Sequence, residues 1–115
     1  MKVLVCGGRD YHDYERVKGA LNSLNKKHGI ELIIEGGANG ADAHAAVWAK
    51  NNAIQGCSFH ACWDTLGKKA GPIRNKNMLN FGSPDCVVAF KGGAGTQGMV
   101  AMAKRFGINV WEVKP

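Results

Sequence analysis

Apolar side chains cluster in five short runs along this chain, at residues 2–6, 31–35, 54–60, 86–90 and 108–111. Short apolar runs bounded by glycine or charge read as buried strands. The segments between them have a different period. Residues 13–28 set Val17, Leu21 and Leu24 on one helical face, and Gly29 supplies a stop. Residues 42–52 are alanine-rich and carry Val47 and Trp48. Residues 73–81 follow Pro72, which suits a first helical turn. Residues 96–106 align Met99, Met102, Ala103 and Phe106 before Gly107. Residues 63–71 read as a polar connection.

Strands alternating with helices imply βαβ units and a mostly parallel sheet with helices on both faces. The expected fold class is α/β, a Rossmann-like three-layer sandwich with five strands in the order 3-2-1-4-5. No linker, repeat or low-complexity tract interrupts residues 1–115, so a single domain is expected. In such sheets ligands bind beyond the carboxyl ends of the strands, where the strand order switches. That places the ends of the first and fourth strands side by side.

Three of the strands run into glycine pairs: Gly7-Gly8-Arg9-Asp10, Gly36-Gly37-Ala38-Asn39-Gly40-Ala41-Asp42, and Lys91-Gly92-Gly93-Ala94-Gly95-Thr96. A strand, a glycine turn and a helix N-terminus together make an anion site. Glycine lets the backbone approach closely, and the first helical N–H groups point at the ligand. The dinucleotide fingerprint does not fit, because Asp10 and Tyr11 stand where small residues are needed. A P-loop is excluded too, since no Gly-Lys-Ser/Thr follows any turn.

Composition narrows the partners. Fifteen Lys and Arg against nine Asp and Glu give a net charge of +6, which favours anionic ligands or nucleic acid. The basic residues sit in separate pairs, with a local excess from Lys68 to Lys76. No apolar run reaches the roughly 18 residues of a membrane span, and the Met1–Cys6 run is too short for a signal sequence. A soluble, cytoplasmic protein without membrane partners is expected. The four cysteines then read as free thiols. Cys57, His60 and Cys62 hint at a metal, but strand alternation splits them between two faces. No metal and no resident cofactor is expected.

Gly92, Gly93, Gly95 and Thr96 are the leading phosphate contacts, with Thr96 as the expected helix cap. Gly7, Gly8 and Arg9 form the opposite lip, where arginine could grip a phosphate with two N–H groups. Gly36, Gly37 and Gly40 complete the ligand edge. Asp42 opens the second helix, where it either complements the dipole, accepts ribose hydroxyls or acts as a base. Glu35 is the second carboxylate at this edge. Arg74 and Asn75 fall in the first turn of the helix expected at 73–81. A cation there opposes the helix dipole, and an anionic ligand would offset that conflict. Trp63 and Tyr11 could stack on a base, and Lys68 and Lys69 could clamp phosphate.

Four segments together resemble a known family: Val5 to Tyr11, Gly36 to Asp42, Trp63 to Met78 with its Ala70-Gly71-Pro72-Ile73-Arg74-Asn75 block, and Phe90 to Thr96. They look like the YspA-related branch of the SLOG superfamily, over Val3 to Val110. The resemblance implies a Rossmann-like fold that binds nucleotides or nucleotide-derived ligands, and by analogy a homodimer. Relatives in this superfamily include lonely-guy phosphoribohydrolases and the single-stranded-DNA-binding DprA. The lonely-guy enzymes carry Pro-Gly-Gly-x-Gly-Thr-x-x-Glu, whereas here Lys91 and Met99 occupy the proline and glutamate positions. Methionine can neither activate water nor stabilise an oxocarbenium-like state. Three functions are therefore expected in order. The first is a nucleotide-binding or sensing module. The second is an N-glycosidase in which Asp42 or Glu35 replaces the missing glutamate. The third is a single-stranded nucleic-acid binder.

Overall fold

The computed structural model describes residues 1–114. Five strands form one sheet: β1 (Lys2–Cys6), β2 (Leu32–Glu35), β3 (Gln55–Ser58), β4 (Cys86–Ala89) and β5 (Asn109–Glu112). Every pairing is parallel and the order is β3-β2-β1-β4-β5. The fold is the α/β Rossmann-like sandwich expected from the hydrophobic pattern. No helix among the described residues is long and apolar enough to cross a membrane.

Period-two alternation divides the core. Val3, Val5, Ile33 and Val88 face α1 (Tyr14–His28) and α2 (Ala41–Asn51), meeting Val17, Leu21 and the fully buried Trp48. The Trp48 indole N–H donates to the Asn22 side-chain oxygen at 2.8 Å, so its one polar atom is satisfied between the two helices. Leu4, Ile34, Val87 and Ala89 face the opposite layer, α4 (Ala70–Gly82) and α5 (Ala94–Arg105). Met99 sits there, 1% exposed, as core. Two helices on each face is what right-handed crossovers from a central β1 produce.

Two boundaries differ from the expected ones and change the site. The polar connection contains a short helix α3 (Trp63–Leu66) and a 3-10 turn (Gly67–Lys69), and α4 begins directly at Ala70. Pro72 is its third residue, where no intrahelical N–H is needed. Arg74 therefore lies beyond the first turn, and the expected clash with the helix dipole does not arise. At α5 the N-cap is Gly93, so Thr96 is a buried third residue and not the cap. The strand expected at 54–60 is shortened to Gln55–Ser58 at the sheet edge, where three of its four residues are exposed.

The three glycine turns follow β1, β2 and β4, the three central strands, and they pack on one another. The Gly8 N–H donates to the Lys91 carbonyl at 2.9 Å. The Gly8 carbonyl accepts from Tyr11 and from Ala41, at 3.1 and 3.2 Å. Contact this close excludes side chains. A Cβ on Gly92 would strike the Thr96 hydroxyl and lie 2.7 Å from the Gly8 nitrogen. A Cβ on Gly40, whose φ is +75°, would run into the Gly8 carbonyl.

Gly40→Ala should thus destabilise the protein by on the order of 3 kcal/mol, combining left-handed strain with overlap on the neighbouring backbone. Gly29 has a similar φ of +72° but open space around it. Gly29→Ala should cost only about 1 kcal/mol. Urea unfolding of the two variants checks the difference.

Candidate functional site

A cavity of about 700 Å³ opens at the carboxyl edge, between the first turn, α4 and the start of α5. Gly7, Gly8, Arg9, Asp42, Arg74, Asn75, Gly93, Gly95 and Thr96 all line it. Gly36 and Gly37 line a smaller neighbouring cavity. Gly40 and Gly92 line neither; they are the close-packing glycines described above. Glu35 also lies outside both walls.

The two carboxylates explain why the second turn behaves unlike the third. Asp42 Oδ2 accepts from the backbone N–H of Gly36 at 3.0 Å and of Ala38 at 3.3 Å. Glu35 accepts from the Gly37 N–H and from the Ser58 hydroxyl. All three amides of Gly36-Gly37-Ala38 are therefore bonded to the protein's own acids. Asp42 does not cap its own helix, because its carboxylate turns back to the preceding loop. The third turn has no such occupant. Gly93 brings no side chain to cap α5, and the uncapped first residues of that helix, Gly93 to Thr96, line the cavity.

The glycines of α5 are not needed by the backbone. Gly93 has an ordinary φ of −94°, and a Cβ on Gly93, Gly95 or Gly98 would meet nothing within 4 Å. All three line the cavity. Glycine in a helix costs roughly 1 kcal/mol against alanine, so Gly95 and Gly98 weaken α5 while keeping the cavity floor clear.

Four cations reach the cavity: Arg9, Lys68, Arg74 and Arg105. Arg74 is held firmly. Its Nη1 donates to the Gly36 carbonyl at 2.8 Å and its Nε to Asn75 Oδ1 at 2.9 Å. Asn75, buried, donates in turn to the Gly95 carbonyl at 3.3 Å. This relay joins the second turn to the start of α5. The Arg9 guanidinium lies 5.3 Å from the centre of the Trp63 ring, a cation–π contact on the rim. Tyr11 packs on Phe90 instead of opening to the cavity. Lys69 does not line it.

Sequence reasoning missed Gly98 and Arg105 as cavity residues. Their signal was present, because Gly98, Met102 and Arg105 follow helical spacing along one face of α5. His60, on the smaller cavity, carried no sequence signal beyond its type.

The wall chemistry is selective. Burial pushes the Cys6 thiol up to about 12, aided by nearby Asp42, so it is no nucleophile. Burial also raises Asp42 from 3.8 to about 6, against the Ala38 N–H bond and helped by the Glu35 charge. Burial lowers the Arg74 pKa, while Asp42 pulls it back. No group of three or more His, Cys, Asp or Glu among the described residues is arranged to hold a metal.

Known proteins share the family and the fold of this chain. The sequence profile of the YspA, cpYpsA-related SLOG family covers residues 1–66, more than half of the chain. The chain belongs to that SLOG family. The profile spans the first two glycine turns and ends before α4 and the third turn. The Gene 61 protein of Mycobacterium phage D29 is 34% identical over 117 residues, covering 95% of this SLOG chain and 93% of the phage protein. The X-ray structure of DNA processing protein A (DprA) from Streptococcus pneumoniae superposes with a TM-score of 0.80 at 19% identity. That likeness is one of fold. It covers 99% of this chain and 50% of DprA, so the SLOG domain here spans half the length of that protein.

The Asp42 shift makes a stability prediction. The folded state binds this proton more tightly than the unfolded chain, so the added stability is complete below pH 4. It is lost as the pH rises to about 6. The change amounts to roughly 3 kcal/mol for about two pKa units. Asp42→Asn should flatten the stability curve between pH 4 and 6.5, as read by urea unfolding at each pH.

Proposed function

We propose that this SLOG domain binds a nucleotide or nucleotide-derived phosphate ligand at the carboxyl edge of its sheet, as a sensing or binding module. One observation carries the reading. The uncapped start of α5 faces a cavity with four cations and one carboxylate, and its glycines leave the floor bare although the backbone does not require them. A helix N-terminus with approachable backbone suits phosphate, and arginine adds paired N–H donors. The apolar side of the same cavity, with Val5, Met78 and Met102, suits a base.

A second reading rests on Asp42. It lines the cavity, its pKa of about 6 lets it exchange a proton near neutrality, and both of its hydrogen bonds fall on Oδ2. An N-glycosidase acting on a nucleoside monophosphate would use Asp42 as its acid or base, since Met99 is core and Glu35 is occupied by Gly37 and Ser58. Release of free base from AMP, followed by chromatography and abolished in Asp42→Asn, would establish this activity. Intact AMP after long incubation leaves binding alone.

Calorimetric titration with AMP and ADP tests the binding reading. Gly93→Asp places a good capping residue at the start of α5, so its melting temperature should hold or rise. The same charge faces the phosphate, so affinity should fall by at least about tenfold. Gly98→Ala should gain about 1 kcal/mol in stability and lose affinity. Parental affinity in both variants would move the site away from this cavity. A single-stranded oligonucleotide serves as the competitor, supported by the charge of +6. Tight binding to it that falls steeply with salt would favour nucleic acid instead.

A further inference from the structure

β3 ends the sheet, with β2 on one side and no strand on the other. The Phe59 N–H donates to the Glu35 carbonyl at 2.8 Å, so Phe59 and, two residues back, Cys57 turn their peptide groups towards β2. Alternation along the strand then turns the N–H and C=O of Gly56 and Ser58 outward. The Gly56 carbonyl accepts from the Gln55 side-chain amide at 3.4 Å, a long bond that a better donor would displace.

Exposed edges of this kind are ordinarily guarded by lysine, proline or a bulge. The opposite edge, β5, carries Glu112 in an ion pair with Lys104 at 3.4 Å. β3 has no such guard. Residues 51–63 contain no Lys, Arg, Asp or Glu and are the longest stretch of the chain without one. A protein of charge +6 repels its own copies, and along this edge two copies can meet without opposing like charges.

An apolar side chain stands beside the same edge. Cys57 is in register with Ile34 and shares its face of the sheet. α4 lies above Ile34, since a Cβ on Gly82 would come within 2.9 Å of its Cδ1. Arg74 reaches from α4 to the Gly36 carbonyl after β2, and Phe81, seven residues on, projects from the same side of the helix. That side looks towards β3, at the level of Cys57. Phe81 is 76% exposed, more than any other large apolar residue described.

We propose that β3 pairs with β3 of a second copy across a twofold axis at Cys57, joining two five-stranded sheets into one of ten. Antiparallel pairing about that point sets Gly56 opposite Ser58 of the other copy, and the reverse, so the outward peptide groups bond in two exchanged pairs. Cys57 falls opposite its own copy in the non-bonded position, where Cα atoms lie about 4.5 Å apart. With α4 above β2, strand spacing sets α4 and its copy about 14 Å apart, a gap that the two Phe81 rings fill. The carboxyl edges of the two copies point in opposite directions, so the pairing is independent of what the main cavity binds.

Light scattering and sedimentation test the pairing. The parent should have twice the 12.3 kDa mass of the chain. Gly56→Pro removes an outward N–H that β2 does not use, at an edge position of the kind that accepts proline and with open space around its Cβ. Phe81→Lys sets like charges across the axis at a position already exposed. Each should raise the dimer dissociation constant at least about tenfold and leave the far-ultraviolet circular dichroism unchanged. Phe81→Lys gives the readout alone if the proline variant fails to fold. Cys6 and Cys86 are buried, so in a Cys62→Ser background Cys57 is the accessible thiol. Oxidation with diamide should link two copies through Cys57 in that background, and the link should be lost when Phe81→Lys is added. A mass of 12.3 kDa at every concentration, a dimer that survives both substitutions, or a dimer that Cys57 does not cross-link overturns the proposal.

Discussion

The peptide group of Gly8 is the joint on which the whole carboxyl edge depends. Its N–H reaches the third glycine turn through Lys91 and its carbonyl reaches the second through Ala41. Both bonds require backbone approaching backbone, with Gly40 and Gly92 as the neighbours that make room. Without them the loops after β1, β2 and β4 would be three separate connections. With them they form one rigid platform, and the side chains of α4 and α5 are set around a fixed floor. The parallel pairing of β1 with both β2 and β4 brings the three strand ends close enough for this to happen.

On that platform two similar turns have opposite electrostatic fates. The amides after β2 bond to Glu35 and Asp42, which makes the second turn an internally neutralised structure. The amides at the start of α5 are left for something else. Burial raises the Asp42 pKa, and the N–H groups of Ala38 and Gly36, with the Arg74 charge, work against that rise. Arg74 reports the same environment from the other sign, half-buried and tied to the Gly36 carbonyl.

The fold was legible in the sequence because its determinants are local. Alternating strands, helical stripes such as Val17, Leu21 and Leu24, and Gly-Gly stops identify the elements and their order without any long-range information. Met99 as a core residue followed from helical spacing alone. Less local features were not visible. Glycine-rich composition suggested three equivalent phosphate turns, yet the occupation of one of them depends on Asp42 folding back over six positions and on Ser58 standing opposite Glu35 in the β2–β3 register. The start of α4 at Ala70 was hidden because residues 63–71 read as a polar connection and Pro72 as the opening of the helix. Gly71 sits beneath the Trp63 ring, where a side chain would be crowded. Thr96 looked like a cap because threonine often is one, but Gly93 and Ala94 carry the helix two residues further back.

The second turn also has an evolutionary consequence. It is a seat for an anion that the chain fills with its own side chain, carried by the first turn of α2. A lineage that replaced residue 42 with a neutral, short side chain would uncover the Gly36 and Ala38 amides and acquire a further place for negative charge, with the sheet and its crossovers unchanged. On the nucleotide reading proposed above, the number of anionic groups such a domain accepts is then set in part by one helix position. Members of one fold can diverge in the valence of their ligands by drifting at that site, long before their architecture differs.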